Sequence, residues 1–292
     1  LRIFITGGSG YIGRAVVAEL LRRGHHVSAL VRSDAASAKV RGLGAHAVHG
    51  SLDSLDVIEL AAREHDATIH CAAPTPPDGV AREAKLLDVL LRVAPNDHAL
   101  VYTSGAWVYG DRGDAVVDED APLAPISLVA WRPAHEERVL AARSRGIRGI
   151  VIRPTVVYGD NGGIVGQMVA SANPGPLRIV GSGTNRWSTV RVDALAELYA
   201  AAVEQPAAHG IYNAINGAPV PYVEIARAAS RAAGADGTVE HLTFENARAA
   251  MGPFAEALAL DLQVSAEKAK RELGWSPHRP TVLEELANTV VP

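Results

Sequence analysis

Cysteine is almost absent from this 292-residue chain. Cys71 stands alone, so neither an internal disulfide nor a cysteine-rich zinc site can form. Aromatic residues are scarce, at 5%. No sign of charge prevails, because 28 Lys+Arg face 32 Asp+Glu for a net −4. That balance gives no general pull toward nucleic acid or an anionic membrane surface. No apolar run reaches the roughly 18–20 residues that span a bilayer. Internal repeats, low-complexity tracts and metal-ligand clusters are also missing. What remains is ordinary globular composition, 48% hydrophobic and 21% charged, enough for a sizeable core without staples. Leu1 to Ile5 enters a strand pattern at once, so no signal peptide is read and a reduced cytoplasm is the expected location.

The first half alternates short apolar runs with helical periodicity. Strands are expected at Ile3–Thr6, His26–Val31, Ala45–Val48, Ala67–Cys71, Ala99–Ser104 and Ile147–Ile152. Helices are expected at Tyr11–Arg23, Leu55–Arg63, Arg82–Val93 and Trp131–Ser144. Such alternation predicts an α/β fold, a doubly wound parallel sheet covered on both faces. Beyond Arg153 the pattern loosens, and Gly and Pro between Gly159 and Gly183 predict loops shaping a mouth. Helices are again expected at Val190–Glu204, Tyr222–Ala233 and Ser265–Leu273, with a strand at Gly210–Asn213. The expected division is a dinucleotide-binding domain over 1–158, with 189–213 returning to it. A smaller C-terminal substrate lobe is then made of 159–188 and 214–292.

Thr6-Gly7-Gly8-Ser9-Gly10-Tyr11-Ile12-Gly13 links the first strand to the first helix. Gly7, Gly10 and Gly13 give the spacing G-x-x-G-x-x-G. Glycine permits a tight turn and close backbone approach, while free N–H groups at the helix start hold phosphates. The position between strand and helix turns a weak motif into a dinucleotide site. At the end of the second strand, where Asp or Glu would bond a ribose 2′-hydroxyl, the sequence reads Val31-Arg32-Ser33. Arg32 suits a 2′-phosphate, Ser33 adds a hydroxyl, and Arg14 can approach the same group. NADP(H) is therefore expected over NAD(H).

Further motifs follow in order. They are Ile69-His70-Cys71-Ala72-Ala73, Val101-Tyr102-Thr103-Ser104 with Val108-Tyr109-Gly110, Ile152-Arg153-Pro154-Thr155-Val156-Val157-Tyr158-Gly159, Val190-Arg191-Val192-Asp193-Ala194, and Leu273-Gly274-Trp275-Ser276-Pro277. With the glycine loop, they make the chain resemble the extended, NAD-dependent epimerase/dehydratase branch of the short-chain dehydrogenase/reductase superfamily. The resemblance implies a nicotinamide cofactor flanked by Leu52, Ala72, Ala73, Thr103, Pro154, Thr155 and Val156 besides the loop residues Gly7, Gly10, Tyr11, Ile12 and Gly13. It also implies a homodimer through a helix pair and a small-molecule substrate.

That family works with a Ser or Thr, a Tyr, and a Lys four residues after the Tyr. Here the hydroxyl position falls on Gly105, and no Tyr-x-x-x-Lys follows Tyr109. The Tyr position falls on Leu128 or Val129 and the Lys position on Arg132 or Pro133. A positioned general acid is worth about 10²–10⁴ in rate, so another group has to serve. Arg132 can take the ribose contact but cannot act as an ordinary proton donor. Ser104, Tyr109, Tyr158 and His135 are the candidate donors, with His135 read as a solvated helix residue. Trp107, Trp131, Tyr158, Arg186 and Trp187 are the expected substrate-side residues. The expected activity is an NADP(H)-dependent oxidoreductase acting on a small carbonyl or conjugated metabolite. Two alternatives stay open. One is a redox-neutral isomerase, lyase or cyclase with structural NADP; the other is a non-enzymatic NADP-binding sensor or scaffold.

Overall fold

The structure, a computed structural model, describes residues 1–73, 78–172 and 176–289. Five strands and four helices alternate first. They are β1 (Arg2–Thr6), α1 (Tyr11–Arg22), β2 (His26–Val31), α2 (Asp34–Gly42), β3 (His46–His49), α3 (Leu55–Glu64), β4 (Ala67–His70), α4 (Gly79–Val93) and β5 (Ala99–Thr103). Then come β6 (Val116–Val117), α5 (Arg132–Ala141), β7 (Arg148–Pro154), β8 (Val156–Tyr158), α6 (Gly163–Ser171), β9 (Leu177–Val180), β10 (Arg186–Trp187), β11 (Thr189–Arg191), α7 (Val192–Glu204) and β12 (Gly210–Ala214). The remainder holds β13 (Val220–Pro221), α8 (Tyr222–Ala232), β14 (Val239–Leu242), α9 (Phe244–Met251), α10 (Phe254–Ala259), β15 (Gln263–Val264), α11 (Glu267–Leu273) and α12 (Val282–Asn288).

Seven strands form one parallel sheet in the order β12-β7-β5-β4-β1-β2-β3. Their apolar runs are buried on both faces, as the covering helices require. Ile3, Ile5, Ile69 and Val101 point toward α1 and α7. Phe4, Leu100, Tyr102 and Val151 point toward α3, α4 and α5. The strand order reverses between β1 and β4, and ligands of open α/β sheets bind outside the strand ends at such a switch. Among the described residues no helix is long and apolar enough to cross a membrane.

A second core gathers side chains of α6, α8, α9, α10 and α12 with β8, β9 and β10. The C-terminal segment is not confined to it. Ala266, Ala269 and Trp275 pack in the α1/α7 core, and Trp275 Nε1 donates to the Ala194 carbonyl at 2.8 Å. The stretch expected to be loops between Gly159 and Gly183 instead contains α6 and β9. Its glycines serve close approaches: a Cβ on Gly166 would lie 2.2 Å from the Asn161 carbonyl oxygen. Helix α2 carries little apolar periodicity, since Val40 is its one large buried side chain, and it starts on the Ser33 hydroxyl accepting from Ala36 N–H.

Candidate active site

The loop after β1 is built around its glycines. Gly7 has φ +75°, and a Cβ there would sit 2.6 Å from the Ala72 nitrogen. A Cβ on Gly13 would lie 2.1 Å from the Gly7 carbonyl oxygen. Loop, first helical turn and the segment after β4 thus touch backbone to backbone. Gly10 caps α1 without a side chain, leaving first-turn N–H groups to a ligand. A cleft of about 470 Å³ opens here, and Gly7, Gly10, Tyr11, Ile12 and Gly13 form its floor. Arg32, Ser33 and Leu52 line one wall, Ala72 and Ala73 the other. Arg32 is exposed and forms no ion pair among the described residues. Arg14 lies over the Tyr11 ring, whose hydroxyl donates to the Gly159 carbonyl at 2.8 Å and ties the loop to the segment after β8. The residues fit a dinucleotide: a glycine-lined floor, unclaimed helix N–H groups and a free cation at the rim. A groove of about 560 Å³ between α8 and α12 is larger but touches neither the loop nor any strand of the central sheet.

Thr103, Arg132, Pro154, Thr155 and Val156 do not line this cleft. Thr103 Oγ1 is shared with Tyr199 Oη at 2.7 Å and donates to Cys71 Sγ at 3.4 Å. Burial pushes the Cys71 thiol up to about 11, so it is no thiolate nucleophile. Arg132 Nη1 donates to the Thr103 carbonyl at 2.8 Å, and its guanidinium lies 4.7 Å over the Trp131 ring. Thr155 Oγ1 donates to the Ala214 carbonyl, joining the ends of β7 and β12, while Val156 packs in the second core.

One ion pair anchors α5. Buried Glu136 receives Arg153 Nε at 3.1 Å, with a second contact from Nη2. The helix is thereby locked on β7, and Arg132, one turn before Glu136, is the cation directed at the end of β5. Pro133 only starts the helix. Val129 is buried with Ala106, Val108 and Tyr109, whereas Leu128 is 40% exposed.

Several expected site residues lie elsewhere. Tyr109 is wholly buried; its hydroxyl donates to Asn213 Oδ1 and accepts from Arg153 Nη1, both at 2.8 Å. Tyr158 is also buried, donating to the Pro280 carbonyl at 2.6 Å and accepting from Asn216. Burial pushes the Tyr158 hydroxyl up to about 12. Both hydroxyls are spent on structure, so neither meets a substrate in this arrangement. Trp187 is buried and stacks on Tyr222 at 4.2 Å between ring centres. Arg186 is exposed, its backbone N–H held by Asp261. Trp107 is partly exposed, edge-on to Phe254, and Trp131 is partly exposed under Arg132. His135 is not solvated but buried, its ring edge-on to Trp131 at 5.2 Å. Ser104 is 5% exposed and its Oγ has no partner among the described residues. Gly105 has φ 178°, and among the described residues a Cβ there would meet nothing nearer than the Pro154 carbonyl oxygen at 4.0 Å. Among the described residues no group of His, Cys, Asp and Glu is arranged to hold a metal ion.

Residues 3–216 match the NAD dependent epimerase/dehydratase family. The chain belongs to that family. Its members run on a nicotinamide nucleotide, in keeping with the glycine cleft. The chain is 31% identical to the 4-hydroxy-2-methyl-3-oxo-4-farnesyl-3,4-dihydroquinoline-1-oxide ketoreductase of Stigmatella aurantiaca, over 94% of this chain and 92% of that one. It is 30% identical to the 2-alkyl-3-oxoalkanoate reductase of Stenotrophomonas maltophilia, over 85% of this chain and 80% of the relative. The fold superposes on the dTDP-glucose 4,6-dehydratase DesIV of Streptomyces venezuelae with a TM-score of 0.82, at 21% identity, covering 99% and 96% of the two chains. Membership of this family makes the protein an oxidoreductase-type enzyme, with reductases and a ketoreductase among its relatives.

Proposed function

We propose that this chain is an NADP(H)-dependent reductase of a small carbonyl or conjugated metabolite, working without the Ser–Tyr–Lys set of its family. The observation that carries the cofactor choice is Arg32, a cation at the cleft rim with no ion-pair partner among the described residues. Ser33 uses its oxygen to cap α2, which leaves its O–H free to donate to a phosphate at the same rim. No acidic side chain stands at the end of β2 to claim a ribose 2′-hydroxyl; the strand ends on Val31, followed by Arg32. The bound dinucleotide would supply or accept hydride. The chain's own share is to grip the diphosphate on the α1 N-terminus, to fix the ribose side through Arg132, and to leave space over Gly105 for a substrate group. In this reading the partly exposed Trp107 and Trp131 and the exposed Leu128 would serve as apolar contacts for the substrate. The ketoreductase and reductase relatives support the direction of reaction.

Calorimetry with NADPH and NADH tests the cofactor choice. NADPH is expected to bind more tightly, and Arg32→Ala to weaken NADPH by roughly 10- to 100-fold while leaving NADH nearly unchanged. Equal affinities in the unaltered protein would remove NADP preference. NADPH consumption across a panel of ketones, enones and imines tests the reaction.

A further inference from the structure

The stretch that precedes α5 is hydrogen-bonded to the helices of the second core through one carboxylate. Residues 125–131 run between two anchors. The Ala124 N–H donates to the Val108 carbonyl at 3.0 Å, and Arg132 Nη1 reaches the Thr103 carbonyl. Between them a short turn forms at Ser127–Val129. Val129 is buried with Ala106, Val108 and Tyr109, while Leu128 beside it stays 40% exposed. Among the described residues, two hydrogen bonds join this stretch to the helices of the second core, and both end on Glu256 of α10. Ser127 N–H donates to Glu256 Oε2 at 3.3 Å, and Ser127 Oγ donates to the same oxygen at 2.8 Å. The other carboxylate oxygen takes Arg248 Nη1 from α9.

Helix α10 is built to keep that carboxylate in place. Ala255 and Leu258 seat it in the second core. Gly252, at φ +61°, turns α9 into α10 and lets Arg248 reach across to Glu256. At the far end Asn185 Nδ2 donates to the Leu258 and Leu260 carbonyls, both at 3.0 Å. Phe254, in the first turn, meets Trp107 edge-on, and Ala257 shares a narrow crevice with Ala106 and Trp107. One short helix therefore touches two segments, 106–107 and 127–129, that carry apolar contacts assigned above to the substrate. Exposed ion pairs add little stability by themselves. The effect here is on position, because hydrogen bonds to an ionised acceptor are roughly twice as strong as neutral ones. The Ser127 hydroxyl, with Arg248, holds the Glu256 carboxyl below its ordinary range, so it is ionised at neutral pH.

We propose that Glu256 is a latch that fixes Ser127 and, through it, the place of Leu128. With Phe254 behind Trp107, this makes α10 the element that selects substrates by bulk. The proposal rests on the reductase reading. Glu256 acts through Ser127 and is a positioning residue, not a catalytic one.

The test uses the full chain and Glu256→Ala. Backbone amide exchange followed by NMR reads the latch without any substrate. The Ser127 N–H is expected to exchange about 10-fold faster in the variant. The Ala124 N–H, bonded to Val108, is expected to keep its rate, which shows that the variant is folded. Equal Ser127 rates in the two proteins would overturn the latch. Selection is read with NADPH and a pair of ketones, one with a slim alkyl group and one with a branched group, that the unaltered protein reduces. In the variant the ratio of kcat/KM for the branched ketone to that for the slim one is expected to rise about 10-fold, through KM. NADPH affinity and kcat for the slim ketone are expected to stay unchanged. An unchanged ratio would overturn selection by α10. If no ketone is reduced, the reductase reading fails and selection falls with it, while the Ser127 exchange rate still decides whether the latch exists.

Discussion

Gly13 and Gly105 are single-residue features with opposite physical reasons. Gly13 leaves no room: a Cβ would be driven to 2.1 Å from backbone oxygen in the turn that must hold a diphosphate. Gly13→Ala is expected to cost about 1–3 kcal/mol of stability by overpacking and to abolish dinucleotide binding in calorimetry. Gly105 has extended backbone, and among the described residues no atom comes nearer than 4.0 Å to a Cβ built there. Gly105→Ser is therefore expected to fold normally, with a melting temperature within about 2–4 °C of the unaltered protein. A larger drop would show that the glycine is held by packing rather than by what the site must admit. The glycine loop was legible from spacing and position. The spending of Tyr109 and Tyr158 on buried hydrogen bonds was not, because their partners Asn213, Arg153, Pro280 and Asn216 lie up to 122 residues away in sequence.

At the scale of elements, α5 decides how the site is assembled. The chain around it offered two registers, with the cation on Arg132 or on the neighbouring Pro133 position. The Glu136–Arg153 pair, with Arg153 2% exposed, anchors α5 on β7 and leaves Arg132 Nη1 on the Thr103 carbonyl at the end of β5. Breaking one partner of such a pair strands a buried charge. Glu136→Gln is expected to destabilise the protein by about 3–5 kcal/mol in denaturant melts and to weaken the Arg132 contact to β5. A paired apolar replacement of both residues should be far milder. Helix α2 illustrates the converse. It forms with one large buried side chain, so local periodicity could not reveal it, and a serine cap with sheet packing supplies what periodicity does not.

For the whole molecule, the buried titratable groups set a direction for acid stability. His98 is buried between strands, with Nδ1 at 3.1 Å from the His65 carbonyl and Nε2 at 3.0 Å from Thr68 Oγ1. Burial holds its imidazole down at about 4 against an ordinary value of 6.5. Between those values the unfolded chain binds more protons than the folded one, so stability falls as pH falls. The gap corresponds to roughly 3 kcal/mol, present above pH 6.5 and lost by about pH 4. Burial would raise the Glu83 carboxyl, but the adjacent His135 and His70 rings hold it down at about 2, which adds a second loss between its ordinary 4.5 and that value. Melting temperature followed from pH 8 to pH 3 should thus decline in two stages, and His98→Gln should remove much of the first. A flat profile down to pH 4.5 would refute the assignment to His98.

The sequence alone determined the parallel α/β layering and the dinucleotide turn. Both depend on short-range causes: apolar periodicity over a few residues, and glycines at fixed spacing where a strand becomes a helix. Tertiary structure decided which side chains meet. Thr6, His70, Glu83, Tyr102 and His135 come from five separate elements, and strand register with helix docking brings them together. Trp187, read as part of a substrate wall, goes instead to the second core. Neighbourhood across a sheet is fixed by which strands pair and which faces are covered, and no local window of sequence carries that information.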